Sequence, residues 1–293
     1  MSKLTLEQEE NICQEYLNTN ITQKELGRKY DTSQPEICHL LKKFNIKRKY
    51  IHSNTKLSNL IKCNENYFEK IDTSAKSYYL GFIAGDGYVN NKENYLYIGL
   101  AVKDRKFLED FLFVLESEHP IYTKYVTLKK TNKTYEGCSI KIARPKIISD
   151  LINHGIGPNK SKELSIPKTI PDEFIKDFVR GIICSDGCWS IDKNNNMNFS
   201  FLSSVYLFAE ELKSFLMKKC NLQDVKIAQC RGCWNTKWGG NLQCERIFKY
   251  LYSNGPWLER KYNLASEHFE KYNLIPKSNA LLGKLAKQNS QKQ

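Results

Sequence analysis

Two aspartates, Asp86 and Asp186, close two near-copies of one short stretch. Residues 79–87 read YLGFIAGDG and residues 179–187 read VRGIICSDG. Each copy has small residues four apart, Gly81 with Gly85 and Gly181 with Ser185. On a helix such pairs share one face, and a face with almost no side chain lets another backbone come close. The carboxylates fall at the helix ends, where Gly87 and Gly187 suit a stop. Carboxylates brought together at helix C-termini repel each other and the negative end of the helix dipole. A divalent cation relieves both conflicts, and oxygen-only ligands point to Mg²⁺, with Mn²⁺ as a substitute.

The stretches that must position these aspartates also come twice. After Asp86 the pattern predicts short strands at Tyr88–Val89 and Tyr95–Val102, then a helix over Asp104–Glu116 with Phe107, Leu108, Phe111 and Leu115 at core spacing. Strands at Ile121–Lys129 and Tyr135–Ala143 follow, then a helix over Pro145–Asn153 ending at Gly155. The second copy predicts strand Met197–Ser203, helix Val205–Cys220, strands Val225–Cys230 and Trp234–Trp238, and helix Leu242–Tyr252. Lys160 lies 74 residues after Asp86 and Lys261 lies 75 after Asp186, in the related settings GPNKSKEL and GPWLERKYNL.

Three helix starts crowd the front of the chain. Thr5, Thr22 and Ser33 each precede Glu or Gln by three residues, the pattern of a capping box. Helices are expected over Leu6–Leu17, with Ile12, Tyr16 and Leu17 inward, over Gln23–Tyr30, and over Gln34–Phe44, burying Ile37, Leu40, Leu41 and Phe44. The last two, joined by Tyr30–Ser33, form a helix-turn-helix pattern. Its third helix would present Ser33, Gln34, Glu36, His39, Lys42 and Lys43, a mixture suited to base edges and phosphates. A plain three-helix packing module is the alternative.

Charge favours a polyanionic partner. The 293 residues carry a net charge of +13, and between Glu36 and Glu65 there is no acid while Arg48, Lys49 and five further Lys supply positive charge. Residues 47–66 read as an extended, DNA-tracking segment. With 41% hydrophobic and 26% charged residues the chain reads as a globular protein with no membrane span. Ten Cys and an N-terminus without a signal-peptide core point to an intracellular, reducing compartment. Cys230-Arg-Gly-Cys233 has no second Cys pair or His pair to complete a zinc set.

Together the paired motifs, the repeated pattern and the matching lysines resemble the LAGLIDADG homing endonucleases in their single-chain, two-repeat form, with a helix-turn-helix in front. The resemblance spans about residues 73–275. It departs from the name motif at Ala84 and Cys184, where the family often has an acid. It implies an α+β fold of two pseudo-twofold αββαββα repeats, whose antiparallel sheets form a saddle over DNA. The expected division is residues 1–50 helix-turn-helix, 51–72 basic linker, 73–165 first repeat, 166–275 second repeat and 276–293 basic tail.

The implied activity is site-specific, metal-dependent cleavage of both strands of a long, asymmetric duplex site by a monomer, in a bacterial or phage-infected host or an organelle. Asp86 and Asp186, with Gly85 and Ser185, would hold Mg²⁺, and Lys160 and Lys261 would sit beside the nucleophile and phosphate. Alternation along the strands exposes one sheet face to DNA. On it Lys124, Lys129 and Lys141 of the first copy, with Lys226, Arg231 and Lys237 of the second, are candidate contacts. Lys130, Lys133, Arg144 and Lys146 add to the basic stretch of the first copy. Two other classes fit the same scaffold: a non-cleaving DNA-binding regulator, which needs neither the aspartates nor the lysines, and an RNA-binding intron maturase.

Overall fold

A computed structural model of the chain describes residues 4–18, 21, 23–46, 61–128, 132–158 and 160–274. It divides into two compact units, residues 1–56 and 57–293. The expected contacts Arg48, Lys49 and Lys129, and the tail 276–293, lie outside the described residues.

In the first unit, helices α1 (Leu6–Asn18), α2 (Gln23–Lys29) and α3 (Gln34–Lys43) enclose Ile12, Cys13, Tyr16, Leu26, Ile37, Leu40 and Leu41. Helix α3 starts with a full capping box: Ser33 accepts from the Glu36 amide and the Glu36 carboxylate accepts from the Ser33 amide. Thr5 and Gln8 exchange the same pair of bonds ahead of α1. Two residues expected inward point out, Leu17 at 52% and Phe44 at 41% exposure. Leu17 is one step, about 100°, around α1 from Tyr16 and so off the buried stripe, where Cys13 packs instead. Phe44 falls on the cap beyond the last turn of α3.

The second unit opens with Tyr67, Phe68 and Ile71 buried in its core, inside the stretch expected as linker. Helix α4 (Ser74–Asp86) leads into a sheet of β1 (Gly87–Asn90), β2 (Tyr95–Ala101), β3 (Tyr122–Leu128) and β4 (Lys133–Ile142), with α5 (Arg105–Val114) between β2 and β3. Helix α6 (Pro145–Asn153) and the one-turn α7 (Lys160–Glu163) complete the first repeat. The second repeats this with α8 (Ile175–Asp186), β5 (Gly187–Ile191), β6 (Met197–Ser203), α9 (Tyr206–Cys220), β7 (Ala228–Cys230), β8 (Cys233–Gly239), α10 (Asn241–Leu251) and α11 (Glu259–Leu274). Both sheets are antiparallel with matching order, β1-β2-β4-β3 and β5-β6-β8-β7. Alternation sorts their faces: Leu96, Ile98, Ile140 and Ile142 are buried in one, Phe199, Phe201 and Trp238 in the other. This is the expected α+β architecture.

Helices α4 and α8 abut along their small residues. A methyl group on Gly81 would lie 2.0 Å from the Phe178 carbonyl oxygen, and one on Gly181 would lie 2.1 Å from that of Tyr78. Backbone touches backbone there, so no side chain fits. Gly87 and Gly187, expected as helix stops, do end α4 and α8, in extended geometry with φ of −75° and −83°. Their glycines answer to sterics, because a Cβ would lie within 2.7 Å of the Ile83 oxygen or 2.5 Å of the Ile183 oxygen.

Two buried arginines brace the repeats. Arg180, inside the second motif, donates through Nε to Pro256 O (2.8 Å) and Nη1 to Leu251 O (2.8 Å), and pairs with Asp177 at 2.6 Å. Arg144 bonds Ala143 O and Ile61 O and faces Glu65 at 2.8 Å, so it belongs to the core instead of the expected basic face. Lys146 likewise is tied to Asp150 at 2.7 Å.

Gly181→Ala should therefore lower stability by roughly 3 kcal/mol or more, because backbone and not a pliable side chain blocks the new methyl. Gly157→Ala, with nothing within 4 Å of its Cβ, should change it little. Urea unfolding of both variants checks the contrast, and equal midpoints would refute it.

Candidate active site

The α4–α8 contact brings the two aspartates together. A methyl on Gly85 would clash with the Ser185 side chain at 1.8 Å and stand 3.0 Å from Asp186 Oδ2. Both carboxyl groups reach solvent, yet protein closes around them on the other sides and removes part of their hydration. That desolvation, reinforced by Asp86, pushes Asp186 up to about 6, against the pull of Lys160 and Lys261. Desolvation also raises Asp86, with Lys261 and Lys160 opposing and Asp104 adding to the rise.

Lys160 and Lys261 lie at the same centre, in a role the sequence reading missed. Lys160 Nζ donates to the carbonyl oxygens of Ile83 (2.6 Å), Ala84 (2.8 Å) and Gly85 (2.7 Å), the last turn of α4. Lys261 Nζ donates to Ile183 O (3.2 Å), Ser185 O (2.9 Å) and Gly187 O at the end of α8. Each ammonium thus caps the orphan carbonyls of its own repeat's helix and neutralises that end of its dipole. Burial pulls Lys160 down to about 8, against the attraction of Asp186 and Asp86, and lowers Lys261 as well.

Beside this centre Asp104, 6% exposed, holds Arg260 in a two-point pair, Nε to Oδ1 at 3.1 Å and Nη2 to Oδ2 at 3.0 Å. Sequence reasoning took Asp104 only as a helix start. The one available signal was an acid just after an aromatic strand, with Arg260 directly ahead of the repeat-spaced Lys261.

The donor set fits a hard divalent cation. Asp86 and Asp186 supply oxygens only, and a carbonyl has two lone pairs, so Gly85 and Ser185 each keep one beyond their lysine bond. Among the described residues no group of three His, Cys, Asp or Glu could hold a metal, so other ligands must come from water or a bound anion.

The exposed sheet faces differ. The first presents Tyr88, Tyr95, Tyr97, Tyr122 and Tyr135 with Lys124 and Lys141, with Lys124 Nζ 2.6 Å from Tyr97 OH and Lys141 Nζ 4.0 Å from the Tyr95 ring centre. On the second, Lys237 stands opposite Ser200 and Asn235 opposite Leu202, while Arg231 caps the β7–β8 turn and exposed Lys226 precedes β7. In the first unit Ser33, Gln34, His39 and Lys42 are exposed on α3. Glu36 turns back onto Thr32 and Ser33, whose hydrogen bonds lower it to about 2, and Lys43 is 2.8 Å from Glu9.

The arrangement, two like repeats joined at a glycine-lined helix pair that carries one carboxylate each, defines the two-repeat LAGLIDADG fold. Residues 75–152 match the family model of the LAGLIDADG-like domain. Among solved structures, the homing endonuclease I-WcaI bound to its DNA recognition sequence is 16% identical over 71% of this chain and 93% of its own, with a TM-score of 0.51. The LAGLIDADG homing endonuclease I-LtrWI bound to target DNA is 11% identical over 76% and 97%, with a TM-score of 0.48. Full-length DUF199/WhiA from Thermatoga maritima is 14% identical over 78% and 73%, with a TM-score of 0.44. No curated protein matches the sequence. Among the described residues, no helix is long and apolar enough to cross a membrane.

Because the Asp186 carboxyl is raised, the folded protein holds a proton between pH ~3.8 and ~6 that the unfolded chain has released. Stability without metal should therefore fall as pH rises through that window. Asp186→Asn should remove the fall, leaving the variant more stable than the parent at pH 7 and closer to it at pH 4. Thermal melts at the two pH values check this, and an unchanged difference would refute it.

Proposed function

We propose that the chain is a site-specific, divalent-metal-dependent endonuclease that cuts both strands of DNA. The observation that carries the reading is the pair Asp86 and Asp186 at the glycine seam. Each ends the central helix of one repeat, and each lies beside a sheet with an exposed basic or polar face. A regulator or structural protein has no need of two partly desolvated carboxylates brought together at one seam.

In this reading Asp86 and Asp186, with the carbonyls of Gly85 and Ser185, hold Mg²⁺ or Mn²⁺. When bound, the metal would neutralise developing charge and activate water for in-line attack. The protein does the rest. The seam sets the separation of the carboxylates, and the pseudo-twofold axis assigns one to each strand. Lys160, brought to about 8 by burial, sits where an ammonium beside the carboxylates can stabilise charge or pass a proton to the leaving oxygen. Lys124, Lys141, Lys226, Arg231 and Lys237 would track phosphates and base edges from the sheets. Residues 1–50 would add a DNA-reading helix through Ser33, Gln34, His39 and Lys42, with Glu36 holding the helix start, and Lys43 would reach phosphate once released from Glu9. The chain would act as a monomer on a long, asymmetric site.

A non-cleaving DNA-binding regulator remains as the second reading, because both lysine ammonium groups satisfy helix carbonyls and so have a structural role of their own. Incubation with a plasmid pool carrying a randomised duplex window, with and without Mg²⁺, decides between them. Metal-dependent linearisation supports the nuclease, and retention of selected duplexes without cleavage supports the regulator.

Asp86→Asn and Asp186→Asn should each reduce cleavage about 1000-fold or more, since a metal ligand contributes several kcal/mol, while binding of the selected duplex stays within a few-fold. Deleting residues 1–50 should leave cleavage intact but shorten the footprint at one end and flatten the salt dependence of binding. A footprint of unchanged length would show that this unit contacts something other than flanking DNA.

A further inference from the structure

Arg260 and Lys261 are consecutive in the first turn of α11, yet they serve different repeats. Successive helical residues project about 100° apart, so one turn can face two neighbours at once. Arg260 reaches Asp104, which follows β2 of the first repeat, through two bonds of 3.1 and 3.0 Å. Lys261 reaches the end of α8 in the second repeat. The seam between repeats is therefore stapled beside both carboxylates by one helical turn.

We propose that the Asp104–Arg260 pair is a positioning device that holds Lys261 on the end of α8, and that it serves only one of the two halves of the site. Pseudo-symmetry makes the second point. Asp104 immediately precedes α5, and the residue at that place before α9 is Val205, which carries no charge. The residue before Lys160 is Asn159, where the other repeat has Arg260. Lys160 sits in a one-turn helix of four residues, whereas Lys261 belongs to α11, a helix of 16. A long helix docked by a forked ion pair is fixed in rotation about its axis as well as in place, because guanidinium and carboxylate are planar and meet at two points. Rotation about that axis is the motion that would withdraw Lys261 from the carbonyls.

The pair is also partly dry. Asp104 is buried while Arg260 keeps 44% of its side chain exposed, so replacing the arginine strands the Asp104 carboxylate and no other charge. Asp104 adds negative potential at Asp86. Any consequence for DNA cleavage rests on the endonuclease reading above; the placement of Lys261 does not.

The test uses the full chain without DNA. Brief reductive methylation with formaldehyde and a borane, followed by peptide mass spectrometry, reads the accessibility of each lysine amine. In the parent, Lys160 and Lys261 should both label slowly. In Arg260→Gln and in Asp104→Asn, labelling of Lys261 should rise about tenfold, the scale of a lost charge-assisted hydrogen bond, while Lys160 stays within about twofold. Arg260→Lys, which keeps the charge and loses the fork, should fall between. An unchanged Lys261, or an equal rise at Lys160, would overturn the proposal, the latter by showing general loosening. On a duplex selected from the plasmid pool and labelled on each strand in turn, Arg260→Gln should shift the ratio of the two nicks. Parent protein that cuts no member of the pool would count against the endonuclease reading alone, because the labelling result stands without it.

Discussion

Gly81 and Gly181 lie against the backbone of the opposite helix, and the geometry of the rest of the second unit follows from that contact. Side chains normally keep packed helices 8–10 Å apart, and their volumes set the distance. Here the limit is the backbone itself, with the Phe178 and Tyr78 carbonyl oxygens where the methyl groups would be. A separation set by backbone is insensitive to side-chain changes elsewhere in the core. It also places the last residue of each helix at the same level along the seam, which makes Asp86 and Asp186 neighbours. Each helix passes directly into a strand, so the seam orients both sheets as well.

Such closeness creates an electrostatic conflict that the fold only half resolves. Two helix C-termini and two carboxylates converge on one spot, where like charges repel. The two ammonium groups answer the helix carbonyls, at hydrogen-bond distance, and act on the carboxylates only through space. The carboxylates retain a raised proton affinity, which comes chiefly from their partial desolvation and which the two lysines oppose without cancelling. A structure selected for stability alone would place a salt bridge or an apolar pair here, since burying charge without a partner costs more than it returns.

The sequence made the framework legible because its signals are local. Periodicity located most helices and strands of the second unit, though not α7, β5 or α11, and the GDG and SDG endings marked the chemistry before any contact was known. Boundaries moved where tertiary pairing decided them: β7 begins at Ala228 and not Val225, because only residues 228–230 have β8 opposite. What stayed hidden were contacts between residues far apart in the chain. Arg180 reads as an odd charge in an apolar helix until Pro256 and Leu251 supply its acceptors. Arg144 reads as one more basic residue of a DNA face until Ile61 and Glu65 enclose it. The lysines were found by spacing, but the helix ends they cap are 74 to 78 residues away, and no local pattern records that bond.

Fusion of the repeats into one chain is what permits their differences. Where the two halves touch, each residue is constrained by its own counterpart, and Gly81 answers Gly181 as Asp86 answers Asp186. Away from the axis that constraint lapses. One sheet shows tyrosines with lysines lying on their rings, the other asparagine, serine and a lone lysine on β8. Asp104 has an ion partner across the seam, while Val205, at the same place before α9, carries no charge. Two identical subunits could not hold Arg260 to one half alone, since a twofold axis would repeat the pair. Symmetry in this molecule is thus confined to the contacts that set carboxylate spacing, and the asymmetry begins one residue beyond, where α11 turns a basic pair toward both repeats.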